Sequence, residues 1–268
     1  MSIHKLVEPL HLEDLRNANH PSAFDENEHY DMLIIGLPII NEDLEINTVG
    51  FIITQDGSYL YERQSDSFKK LGSRFETPYE ILDAMIDELL KSFEIYQDQI
   101  MNMEETLYLN KIKKSFMKQW LKLKHNIVRI ERILMHASST MNMAIDYYEN
   151  NTNFPLNHYI DLHEHLERTL RSATLQLSKL DYLYNFYSAQ ANERMNHLIY
   201  TLTIISAVFL PLNLVVGFFG MNTSGLPFSD GTSGTMSVII LILLLSFVSM
   251  IIINRFKKRG SADDILSR

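Results

Sequence analysis

The residues with chemical potential in this chain lie on an apolar background. Asn196, Ile199, Thr203, Ser206, Leu210, Asn213, Gly217 and Gly220 fall at alternating spacings of three and four. That spacing places them on one stripe of a helix. The stripe closes on Gly220, Met221 and Asn222. No carboxylate or imidazole lies inside either of the apolar segments nearby, so the oxygens on offer are neutral amide, hydroxyl and carbonyl groups. A polar stripe on a helix in lipid must face other protein or water. Two readings fit: a water-filled path lined by this face, or close helix packing through small residues.

The elements that position the stripe are two hydrophobic segments. Leu198 to Phe219 carries no charged residue, and neither does Thr235 to Ile253. About 20 helical residues cross the roughly 30 Å hydrocarbon core, so both are transmembrane candidates. Two core helices of a soluble protein are the alternative, although apolarity on all sides is rare in soluble helices of this length. The second segment, VIILILLLSFVSMIII, is nearly pure aliphatic, as expected of a lipid-facing helix. The loop from Thr223 to Gly234 has no Lys or Arg and one acid, Asp230, whereas Arg255, Lys257, Lys258 and Arg259 follow the second segment. Positive residues favour the cytoplasmic side, so both termini are expected inside and the loop outside.

Upstream, residues to about Leu71 read as a small α/β unit. Met32 to Ile40, Thr48 to Thr54 and Ser58 to Arg63 are strand candidates, the last two a hairpin around Gln55-Asp56-Gly57. His20 and His29 have no partners at ligand spacing and read as surface residues. A helix is expected from Thr77, with Thr77 as its cap and Pro78 in its first turn. Apolar seams then repeat from Leu82 to Leu107 and from Phe116 to Met141. A third runs through Tyr159, Leu162, Leu166, Leu170, Ala173, Leu177, Leu180, Tyr184, Tyr187 and Ala191. Such seams mean coiled-coil packing. The break near Asn110 and Lys111 fits a turn between antiparallel helices or a register skip. No Gly or Pro interrupts the third series before Pro211, so the stalk is expected to run into the first membrane helix as a rod of about 90 Å. The expected division is a small α/β cytoplasmic domain (1–76), a helical stalk (77–197), a first membrane helix (198–219), an outer loop (220–234), a second membrane helix (235–254) and a basic tail (255–268).

Composition narrows the function. The 268 residues carry a formal net charge of -9 and no cysteine. Disulfides and thiolate metal sites are excluded, and the acidity argues against a nucleic-acid partner. No basic block is read ahead of the membrane segments, and the N-terminus reads as neither signal nor transit peptide. No nucleophile–base pair or phosphate loop points to an enzyme.

The run PLNLVVGFFGMN (Pro211 to Asn222) resembles the signature of the CorA-type divalent cation transporters, which include a ZntB-like branch. Asn196, Leu202-Thr203 and Phe209 also fit that pattern. The resemblance implies an α+β cytoplasmic domain, long stalk helices and two C-terminal membrane helices in a funnel-like homopentamer, with the first membrane helix innermost. It makes Gly220, Met221 and Asn222 the selectivity filter. Five Asn222 amides with the Gly220 carbonyls would hold a hydrated Mg²⁺ through its waters. Asn213 either forms a second polar ring or bonds backbone oxygens freed by Pro211. Ile199, Leu202 and Leu210 would form an apolar constriction that gates by dewetting.

In HYIDLHEHLERT (His158 to Thr169), Asp161 and His165 match the family's stalk phrase, while His163 and Glu164 replace its Tyr and Asp. By that resemblance Asp161 is a regulatory metal candidate, with His165 beside it; an ordinary solvated helix face is the alternative. Imidazole favours Zn²⁺, Ni²⁺ or Co²⁺, but residues two apart on a helix point to different sides. The phrase HPSAFDENEHYDMLIIGLP (His20 to Pro38) is similar to the family's N-terminal domain. The outer loop departs from the family's acidic phrase, leaving Asp230 alone to attract cations. The resemblance implies uptake of Mg²⁺ across the cell (inner) membrane, with Co²⁺ or Ni²⁺ as further cargo and Zn²⁺ as the alternative ion. A non-conducting coiled-coil scaffold is the alternative class.

Overall fold

The computed structural model describes residues 3–40, 44–109, 111–112, 114–221, 234 and 236–251. The chain forms two compact units, Met1–Tyr187 and Ser188–Arg268.

The first unit is built on a five-stranded sheet in which each strand pairs antiparallel with its sequence neighbours: β1 (Ala23–Glu26), β2 (Asp31–Ile40), β3 (Leu44–Thr54), β4 (Gly57–Glu62) and β5 (Ser67–Lys70). β2 and β3 pair from Asp31↔Ile53 to Ile40↔Leu44. The apolar run of β2 is buried on both faces because both faces are covered. Leu33, Ile35 and Leu37 join Phe51 and Ile53 in the core beneath the long helices. Met32, Ile34 and Ile52 pack with Val7 and Leu15 from the N-terminal helices α1 (Ile3–Leu6) and α2 (Pro9–Arg16). Alternation with period two sorts these residues between the faces. The expected β3–β4 hairpin is present, closed at Thr54↔Gly57. Gly57 has φ +148°, a conformation few other residues adopt.

Three long helices follow: α3 (Glu76–Tyr108), α4 (Phe116–Tyr148) and α5 (Leu156–Phe219). All eight seam positions from Leu82 to Leu107 are buried. The break after Tyr108 is a turn between antiparallel helices: Asn126 Nδ2 of α4 donates to Tyr96 Oη of α3 at 2.8 Å, and Tyr148 near the end of α4 meets Phe75 just before α3. α4 and α5 are also antiparallel, joined by Trp120 Nε1 to the Leu180 carbonyl at 2.8 Å. Lys179 of α5 reaches Glu104 of α3 at 2.5 Å.

Some local expectations are corrected. α3 begins at Glu76 with Phe75 at its N-cap position and no side-chain cap there; Thr77 is already inside the helix, and its N–H donates to Ser73 Oγ at 2.7 Å. The α5 seam shifts after Leu180: Leu183 is buried, while Tyr184 is exposed and lies beside Trp120 at 5.0 Å. His20 is a half-buried partner of Asp14 at 3.3 Å, not a free surface residue.

The second unit contains the C-terminal part of α5 and an apolar helix α6 (Met236–Ile251). α5 includes a window of mean hydropathy 2.2, long and apolar enough to cross a membrane and not buried within this chain. The remainder of the outer loop and the basic tail lie outside the described residues.

Candidate functional site

α5 continues as one helix through Pro211 to Phe219. Asn196, Ile199, Leu202, Thr203, Leu210, Asn213 and Gly217 are all exposed on this chain, and Ser206 is half-buried. A Cβ added at Gly217 would meet nothing within 4 Å. The stripe is therefore left uncovered by its own chain.

The hydroxyl of Thr203 donates to the Ile199 carbonyl at 2.8 Å, and that of Thr201 to the His197 carbonyl at 2.9 Å. Each keeps oxygen lone pairs for a further partner. Pro211 has no N–H to give the Ala207 carbonyl. Among the described residues Asn213 makes no hydrogen bond to that carbonyl.

The helix closes where Gly220 N–H reaches the Val216 carbonyl at 2.8 Å and Met221 N–H reaches Phe218 at 3.4 Å. A Cβ on Gly220 would stand 2.9 Å from the Val216 oxygen, so this end of the stripe is built for glycine. Asn222 and Asp230 lie outside the described residues.

On the stalk, Asp161 is exposed, and one turn on His165 Nε2 lies 3.6 Å from its Oδ2. His165 Nδ1 is buried without a hydrogen-bond partner. His163 belongs to a different group: its Nε2 is 3.1 Å from Ser138 Oγ on α4, which donates to Glu167 Oε1 at 2.5 Å. Arg171 closes this chain on Glu167 at 3.3 Å. The two histidines thus share no site within one chain, as their spacing requires. Among the described residues no group of three or more His, Cys, Asp or Glu is placed to hold a metal. Ser138 is 4% exposed, and its cluster was invisible in the sequence because its partners come from another helix.

Fold and stripe together describe a membrane protein with a large soluble helical domain. The family model "CorA-like Mg2+ transporter protein" matches residues 4–258, and the chain belongs to that family. The cobalt/magnesium transport protein CorA of Thermotoga maritima is 21% identical over 273 residues, covering 94% of this chain and 76% of that protein. A zinc transport protein ZntB of Pectobacterium carotovorum is 27% identical over 85 residues, 32% of this chain and 26% of that protein. The CorA magnesium transporter structure from Methanocaldococcus jannaschii superposes with a TM-score of 0.75 at 16% identity, over 94% of this chain and 84% of that one. The α+β domain with its long helix is therefore a CorA-like fold, and the chain is a divalent cation transporter of that family.

Proposed function

We propose that five identical copies of this chain form a ring in the cell membrane, with the stripe of α5 facing a central aqueous path. Mg²⁺ is the cargo this reading favours, with Co²⁺ or Ni²⁺ passing by the same route. The observation that carries it is the uncovered run of neutral oxygens and small residues on an otherwise apolar helix, ending at Gly220 and Met221, which Asn222 follows in the sequence. Mg²⁺ sheds water reluctantly, and neutral oxygens hold its hydrated form weakly enough to release it. Asn213 supplies a second amide ring, and Ile199, Leu202 and Leu210 an apolar constriction. Both termini lie in the cytoplasm, α6 belongs to the second crossing, and Asp230 stands at the outer mouth. Inward flux is driven by the membrane potential, about 2.3 kcal/mol per charge per 100 mV.

Zn²⁺ is the second reading, supported by the similarity to ZntB proteins and by the glycines of the outer loop.

Flux into liposomes decides between them, with competing Mg²⁺, Zn²⁺, Co²⁺ and Ni²⁺ at two pH values. Mg²⁺ flux that is lost in Asn222→Ala, with assembly intact, is the expected result. Proton-coupled Zn²⁺ uptake overturns the Mg²⁺ assignment. An assembled protein that carries no ion is a scaffold.

A further inference from the structure

The tip of the α3–α4 hairpin is a basic stretch in an acidic chain, and it corrects the reading that no basic block precedes the membrane segments. From Thr106 to Ile130 there is no Asp or Glu, whereas Lys111, Lys114, Lys118, Lys122 and Lys124 all fall within it. Lys111, Lys114 and Lys118 are exposed, and among the described residues they have no acidic partner. Lys118 and Lys122 stand four apart on the side of α4 opposite its buried positions Phe116, Leu123 and Ile127, and Lys114 lies in the turn just before the helix. Like charges at that spacing weaken a helix by a few tenths of a kcal/mol per pair. Lys124 pairs with Asp181 of α5 at 2.5 Å and serves the packing, whereas Lys111, Lys114 and Lys118 make no such contact among the described residues.

Exposed apolar side chains lie among these charges. Tyr108 is 59%, Leu109 54% and Leu121 62% exposed. Charge alone suits any anion; lysines interleaved with exposed apolar groups suit an interface whose outer layer is anionic and whose next layer is apolar.

The tip also lies at one particular end of its unit. Phe116 stacks on Tyr187 with ring centroids 5.1 Å apart, and Tyr108 packs on Phe186 at 5.9 Å. These are the last residues of the first unit. In the sequence the apolar segment begins at Leu198, 11 residues after Tyr187.

We propose that this lysine tip binds the anionic head groups of the cytoplasmic leaflet, tying the hairpin of each copy to the membrane surface. The proposal rests on the membrane reading of α5 and on the stalk lying inside; it does not depend on which ion is carried or on ion flux.

The test is amine labelling of the full-length protein in nanodiscs, read by mass spectrometry at Lys111, Lys114 and Lys118. Lys69 and Lys70, exposed on β5, serve as internal controls. One set of discs is phosphatidylcholine alone; the other contains about one quarter phosphatidylglycerol. Each lysine near an anionic surface contributes about five-fold in local partition. Labelling of the tip, relative to the controls, is expected to slow at least about five-fold in the anionic discs, and the difference should close at high salt. Lys114→Gln with Lys118→Gln should restore fast labelling at Lys111. Equal labelling in both discs overturns the proposal. So does protection that is the same in both lipids and disappears when the assembly is dissociated, which assigns the tip to a contact between copies. Because labelling does not read transport, failure here leaves the transport reading standing, and absent flux leaves the tip result intact.

Discussion

His165 and Asp161 sit one helical turn apart on the stalk, with 3.6 Å between Nε2 and Oδ2 and the carboxylate 62% exposed. One charged oxygen donor thus stands open to solvent beside an imidazole. A single pair does not make a cage for Mg²⁺, but a carboxylate brought to a neighbouring copy supplies part of one. In flux measurements Asp161→Asn is expected to raise the cytoplasmic Mg²⁺ needed for half-inhibition on the order of tenfold, with uninhibited flux unchanged. Unaltered inhibition would return Asp161 to the role of a solvated helix residue.

Gly217 and Gly220 separate the constraints within one chain from those between chains. Gly220→Ala meets the Val216 oxygen at 2.9 Å, so it should disturb the end of α5 in any assembly state. Its flux is expected to fall at least about tenfold, a barrier change of about 1.4 kcal/mol. Gly217→Ala meets nothing in its own chain. If the stripe faces water, assembly survives and flux changes little. Loss of the oligomer on a sizing column would show that Gly217 is a packing contact instead.

Tyr148 Oη donates to Asp31 Oδ2, joining the end of α4 to the first residue of β2. Both residues are buried, and desolvation pushes the phenol well above its usual range. Tyr148→Phe leaves the buried Asp31 short of a donor. Such a loss costs about 1–3 kcal/mol. The denaturant midpoint of the soluble unit should fall while the slope is unchanged. A double-mutant cycle with Asp31→Asn should show the two effects to be non-additive.

Asp66, in the turn between β4 and β5, has φ 47° and takes two hydrogen bonds from Arg16, at 3.0 and 2.8 Å. Those bonds, and one from Tyr61, hold its carboxyl down at about 2. A depressed folded value means the stabilisation is complete above the unfolded value of about 4 and disappears as pH falls through about 2. Asn tolerates the same backbone conformation, so Asp66→Asn isolates the charge. The gap in thermal midpoint between the two proteins should be constant above about pH 4 and close toward pH 2. Added salt should narrow it, since both side chains are about half exposed. A gap that stays flat down to pH 2 would refute the ion-pair account.

The long helices were legible in the sequence because hydrophobic period alone defines a buried seam. Every position from Leu82 to Leu107 in that seam is buried. The period failed locally at Tyr184, where Leu183 takes the inner place and the larger ring lies tilted against Trp120 outside. β1 and β5 were missed because four-residue edge strands such as AFDE and SFKK carry no apolar run. The bond from Thr77 N–H to Ser73 and the contact of His20 with Asp14 depend on where the backbone turns, which composition does not reveal. The stripe on α5 was readable from spacing. Ser138 and Glu167 were not, since their meeting depends on the register between two helices.

The alternation of three and four between Asn196 and Gly220 has a geometric corollary. A repeat of seven on a helix of 3.6 residues per turn lags by about 20° each heptad, so the two ends of the line differ by roughly 70° of azimuth. Straight, parallel rods could aim only one end at a common axis. In the proposed ring the rods must coil around one another with a left-handed sense to keep every oxygen inward. Any unwinding of that coil would swing one end of the line sideways before the other moved.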